Sequence, residues 1–265
     1  MAVALTDEHL QQLQRAKNLL ENPGIAAKMT NLIGAPIEKG FELLPDNWSK
    51  TIGSVTETAL TKATDAAIMT MKDVSDEAPS NRWHKLGVAV SGGVGGFFGF
   101  AALAVELPIS TTLMLRSIAD IARSHGESLA DFNTRKACLE VFAMGGKSKH
   151  DDGAESGYFA VRAALTRTVT EAAEQLAAKG LAEEGSTLLL RFITKVAERF
   201  SLQVTEKVAA QAIPAIGAAG GALINTLFID HFQDMAEGHF TVRKLERLYG
   251  EALIQQQYEA LPNQG

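Results

Sequence analysis

Two long uncharged runs constrain this chain more than any other feature. Residues 86–105 are 20 consecutive positions without a charge, and residues 208–229 are 22. A helix of about 20 apolar residues is long enough to cross the hydrocarbon of a bilayer. Both runs also carry small residues four apart, at Gly92/Gly96, Gly95/Gly99 and Gly217/Gly221, with Gly220 beside the last pair. That spacing places the glycines on one helix face, where a second backbone can approach closely. Helices that are apolar all round belong either in a membrane or at the centre of a bundle. Here the runs are diluted with Gly, Ala, Ser and Gln, and the second contains Gln211, Pro214 and Asn225. The mean hydropathy of the chain is only +0.02. The dilution favours a buried bundle centre over a permanent span. A third arrangement joins the two: a bundle that shelters an apolar hairpin and exposes it at a membrane.

The rest of the chain reads as helix. Thr6 is an N-cap, and Asp7 and Glu8 suit the positive end of a helix that runs to about Glu21, where Pro23-Gly24 stops it. Short segments at 25–33 and 37–44 are separated by Gly34 and Pro36. The caps at 46–49 open a longer helix to about Lys72, with Ile52, Val55, Ala59, Ala63, Ala67 and Met71 at three-to-four spacing. A helix ends at His125-Gly126, where glycine supplies a left-handed cap, and the next is expected from Ser128 to about Met144. Residues 145–157, GGKSKHDDGAESG, form a polar loop. Helices are expected at 158–179 and 186–211, and two more after Pro214. No alternating strand pattern and no repeat of fixed period occurs. The expected class is all-α: a multi-helix bundle with two central glycine-rich apolar helices packed closely. Residues 1–78 form an N-terminal helical segment packed on a helical domain at 79–265, the two making one compact unit.

Charge and motifs exclude several functions. The net charge of −6 leaves no basic face for nucleic acid. A single cysteine, Cys138, excludes an intrachain disulfide, and its apolar neighbours Val141 and Phe142 mark it as core. The N-terminus lacks the basic and apolar regions of a secretory signal. No G-x-G-x-x-G occurs. The GGKS at residues 145–148 lacks the upstream glycine of a phosphate loop, and no serine-hydrolase elbow is present.

The polar residues at the edges of the apolar runs are the candidate site. Glu106 closes the first run; Arg116 and Asp120 lie four apart after it; Asn225 sits within the second run; Asp230, His231 and Asp234 follow it, with His239 and Arg243 one and two turns further on. If the two apolar helices pack together, Glu106 and the Asp230–Asp234 group meet at one end of the pair. Histidine with carboxylates on facing helices can bind metal or work as a general acid and base. Glu106, His231 and Asp234 are the alternative ligand set. The favoured reading has no metal and no cofactor, only a charge network in which Arg116 and Arg243 pair with Glu106, Asp120 or the carboxylates at 230–234. Buried charges demand such partners whether or not chemistry is done, and no E-x-x-H or H-E-x-x-H motif is present.

The stretches GYFAVRAAL (157–165), AIPAIGAAGGALINTLF (212–228) and HFQDMAEGHFTVRKLERLYG (231–250), with the first glycine run, ELP and LRSIADIARSHGE, resemble the conserved blocks of the EcsC family. The resemblance is carried by about residues 83–258. EcsC proteins are bacterial and take their name from a gene beside an ABC transporter. The resemblance implies a helical fold and a link to membranes or transport, and it brings no established catalytic residues. The expected function is therefore that of a non-enzymatic, membrane-associated helical protein acting through lipid or a membrane or transport partner. The expected location is cytoplasmic, with peripheral contact to a membrane. The alternatives are a metal- or acid–base-dependent enzyme using the Glu/His/Asp group and a purely structural helical protein. The sequence fixes no oligomeric state.

Overall fold

The computed structural model describes residues 5–21, 24–34, 36–70, 100–145, 157–178, 185–213 and 217–262. Among them lie ten α-helices and no strand, an all-α multi-helix bundle. They are α1 (Asp7–Glu21), α2 (Ile25–Ile33), α3 (Glu38–Phe41), α4 (Trp48–Thr70), α5 (Phe100–Ser124), α6 (Phe132–Glu140), α7 (Tyr158–Ala178), α8 (Gly185–Ala212), α9 (Gly217–Tyr249) and α10 (Glu251–Ala260). A single 3-10 turn, Val141–Ala143, extends α6.

Local chemistry sets most of these boundaries. The Thr6 hydroxyl accepts from the His9 amide at 3.2 Å, which caps α1 as its sequence predicts. Gly34 closes α2 in the left-handed conformation, and Gly126 follows α5 at φ 78°. The helix expected from Ser128 starts later. Residues 128–131 make a tight turn, with the Asp131 amide 3.1 Å from the Ser128 carbonyl. The Asp131 side chain then caps α6 by accepting from the Asn133 amide at 2.9 Å. Helix α5 continues through Pro108. Proline removes one helical donor, so the Ala104 carbonyl loses its partner, and Ala104 is exposed to water.

Cross-helix bonds give the topology. Helices α5 and α9 run side by side in the same direction. Gln233 donates to Ser117 at 2.7 Å, His125 meets Thr241 at 3.2 Å, and Arg243 reaches Glu127 just beyond α5. Helix α1 lies antiparallel to α9: His9 meets the Tyr249 hydroxyl at 2.7 Å, while Leu20, near the other end of α1, packs at Gly238. A Cβ on Gly238 would sit 2.7 Å from Leu20 Cγ and 3.1 Å from the Ala16 carbonyl, so only glycine permits this approach. Gly40 plays the same part for α3 on α8, where a Cβ would fall 1.9 Å from the Ala209 carbonyl oxygen. Helix α4 packs on both α5 and α8.

The core centres on four aromatic rings, Phe142, Phe200, Phe228 and Phe232, with centroids 4.8–6.0 Å apart in tilted, stacked and edge-on pairs. Each such ring contributes roughly 1.5–3 kcal/mol by leaving water. Ile52, Ala59 and Ala63 of α4 are buried at the expected spacing. Gly92, Gly95, Gly96 and Gly99 lie outside the described residues. In α9, Gly217 falls in the first turn, Gly220 is half-buried and Gly221 is buried.

Candidate functional site

At the end of the bundle where α5 and α9 begin, the predicted Glu106 receives Lys207 of α8. The ammonium lies 2.9 and 3.1 Å from the two carboxylate oxygens. Lys207 is fully buried, its side chain 0% exposed against 9% for that of Glu106. Its Nζ also stands 5.0 Å from the centre of the Phe228 ring, a cation–π contact. One turn further along α8, Gln211 donates to Asn225 Oδ1 at 3.4 Å, while Asn225 Nδ2 and the Thr111 hydroxyl are buried without a hydrogen-bond partner. Glu206, beside Lys207, has its carboxyl pushed up to about 7 by burial. Near the starts of α5 and α9, Val105, Ile109 and Leu223 are exposed by 65%, 48% and 53%.

The predicted meeting of Glu106 with the residues around 230 gives way to these separate pairings. Asp234 forms an ion pair with Lys28 of α2 at 3.1 Å. Asp120 pairs with Arg123 on its own helix, and Arg116 and Asp230 are half-buried. His231 is sealed in the core against Gly145 and Met235. Burial, then the charge of Lys28, pushes its pKa down to about 3, against a smaller opposing backbone contact at Met144. The ring is therefore neutral. Among the described residues no three His, Cys, Asp or Glu side chains gather to hold a metal ion, so the set Glu106, His231 and Asp234 is not assembled. The reason is geometric. Residues 231 and 234 share α9, yet 231 faces the core and 234 faces α2.

His239 and Arg243 belong to a second centre, near the far end of α9. The fully buried His239 places Nδ1 2.8 Å from the Tyr158 hydroxyl and Nε2 3.8 Å from Glu140. The second distance is too long for a hydrogen bond. Glu140 is itself held by Lys136 at 3.4 Å; with the imidazole proton on Nε2, toward that carboxylate, Nδ1 accepts from the Tyr158 hydroxyl. Burial first, then the charges of Arg162, Arg243 and Lys136, hold His239 well below its ordinary pKa. Arg162 donates to the Tyr158 oxygen at 3.2 Å and grips Glu246 through two bonds of 2.6 and 3.1 Å. Arg243 grips Glu127 in the same way at 2.9 and 3.2 Å, with Thr134 at 2.9 Å and Arg247 adding further donors. Burial alone would raise the Glu127 carboxyl; the bond and charge of Arg243, with Thr134 and Arg247, outweigh it and hold it below its ordinary value. Cys138 is buried, and burial pushes its thiol up, away from nucleophilic use.

Sequence reasoning missed Lys207, Glu127, Glu140, Tyr158, Arg162 and Glu246. One signal was available for the first. Glu106 is the residue that ends the first uncharged run, and Lys207 is the residue that precedes the second. The charges that border the two runs pair with each other.

No helix among the described residues is long and apolar enough to cross a membrane. Neither the curated proteins nor the solved structures gave a match. The model of the EcsC protein family matches residues 7–245. The match begins well before the blocks at 83–258 that carried the resemblance, and it takes in α1 to α4. The chain therefore belongs to the EcsC protein family.

Proposed function

We propose that this protein works without catalysis at a membrane, engaging lipid or a protein within the bilayer through the end of the bundle where α5 and α9 begin. The observation that carries the reading is the exposure of Val105, Ile109 and Leu223 near the starts of α5 and α9, the same stretch of α5 that buries Glu106 against Lys207. Val105 and Ile109 lie four apart on one face of α5, and large apolar side chains exposed together favour an apolar partner. The chain carries a net charge of −6, so attraction to anionic lipid contributes little and apolar contact has to supply the affinity.

The test is flotation of the purified protein with neutral phosphatidylcholine vesicles at low and at high salt. Salt-resistant flotation is the expected result, with loss of most of the bound fraction when Val105→Asp and Ile109→Asp are combined. A protein that stays with the dense fraction at both salt concentrations overturns the reading. Acid–base chemistry is the alternative, and the groups now aligned for it are Tyr158, His239 and Glu140 rather than Glu106, His231 and Asp234. All three are buried, which favours a structural role for them.

A further inference from the structure

We infer that the Glu106–Lys207 pair is a latch that sets how readily the apolar end of the bundle opens, a device that rests on the membrane reading above. The pair ties the second turn of α5 to α8, and through Phe228 to α9, so the three helices are joined at one point. The contact has two sides. Closed, two charges sit out of water, with one carboxylate, one ammonium and one ring face to satisfy them. Open, both charges recover full hydration. Burial of an ion pair costs several kcal/mol of desolvation that the mutual attraction only partly offsets. An apolar pair of similar volume would hold the helices together without that cost. The choice of ions at this one place lowers the free energy of opening there while the aromatic core stays intact.

The neighbouring groups point the same way. Asn225 Nδ2 and the Thr111 hydroxyl are buried nearby on α9 and α5 without a hydrogen-bond partner, and each gains one from water on opening. The outer face of the same segment carries Val105 and Ile109, which lose no water-compatible contacts when they turn toward lipid. The start of α5 is thus poised: little polar satisfaction is lost by opening, and apolar surface becomes available. Further along α9, His231 and His239 also bury unpaired ring nitrogens, but there Ser117–Gln233 and the Arg243–Glu127 fork tie the helix to α5 and to the turn after it.

The latch is tested by amide hydrogen exchange on the lipid-free protein, with Lys207→Met alone and with Glu106→Leu and Lys207→Met together. The double variant is expected to slow exchange of the α5 amides at 104–113 by about tenfold or more, the scale seen when a buried ion pair is replaced by packed apolar groups. The single variant leaves a carboxylate buried alone and is expected to speed exchange in the same segment. Exchange in the double variant that is unchanged or faster overturns the latch. Flotation on phosphatidylcholine vesicles separates the two ideas. Slowed exchange with reduced flotation supports both; slowed exchange in a protein whose wild type never floats keeps the latch and rejects the membrane reading. Slowed exchange with undiminished flotation rejects the latch as a control of lipid access.

Discussion

Where α5 and α9 begin, one carboxylate meets one ammonium; where they end, Glu127 alone receives four hydrogen bonds from Thr134, Arg243 and Arg247. Both places bury charge. They differ in what happens when a partner is lost. Lys207 is sealed, its side chain wholly unexposed, so it cannot turn to water while this end stays closed. Arg243 and Arg247 keep 21% and 42% of their side chains exposed, so they can turn to water. The first end joins its helices through one sealed ion pair, and the second is a meshed network with routes to solvent. A protein that opens at one end and holds at the other needs this asymmetry.

Four measurements can break or sharpen the contrast. Lys207→Met should cost about 3–5 kcal/mol in urea unfolding, the scale for an uncompensated buried charge. A cost below 1 kcal/mol would mean that Glu106 finds water and that this end is already loose. Acid titration comes next. His231 and His239 are neutral in the folded protein and charge on unfolding, so the unfolded state binds the extra protons. Their contribution is complete above the unfolded pKa near 6.5 and is lost as the pH falls toward their depressed folded values. Between pH 6 and 4 His231 should remove about 1.4 kcal/mol of stability per pH unit, and His239 acts in the same direction. In His231→Asn the slope should fall by one proton; an unchanged slope would place that ring in water. Glu127→Ala should cost about 1–3 kcal/mol, because the freed arginines reach solvent while Thr134 loses its acceptor. A cost matching that of Lys207→Met would erase the difference between the two ends. Glu198→Gln, which breaks the exposed Lys195 pair on α8, should change stability by less than about 0.5 kcal/mol. A larger effect would show that exposed charge matters to α8 as much as buried charge does.

Much of the fold was legible because its boundaries are local chemistry. Thr6, Gly34 and Gly126 act on residues within a turn of themselves, and each does what its type predicts. The start of α6 was misjudged because Ser128 and Asp131 are both capping residues, and only the tight turn between them decides which is used. The site was less legible. Periodicity shows which residues share a helix face, so it found His239 and Arg243 as neighbours. It carries no information on which distant helix supplies the partner: Glu127 comes from the turn after α5, Glu140 from α6, and Tyr158 from α7. Asp234 shows the same limit, since its partner Lys28 is more than 200 positions away in the chain. Close helix approach was expected from glycines four apart; Gly40 and Gly238, which belong to no such spacing, also sit where a Cβ would meet a neighbouring helix. A backbone contact at a single crossing point needs one missing side chain, and no spacing announces it.

The parallel course of α5 and α9 has an electrical consequence. Each helix carries roughly half a negative elementary charge at its C-terminal end, and two parallel neighbours bring those ends together. Arg247 lies in the last turn of α9 and donates at 2.6 Å to the carbonyl of His125, the residue just past the last turn of α5. One guanidinium thus terminates two dipoles at once. His125 itself, drawn up in pKa by Glu237 against the effect of burial, adds positive charge at the same spot as the pH falls. The mutual repulsion of two aligned helices is discharged at the end that stays shut.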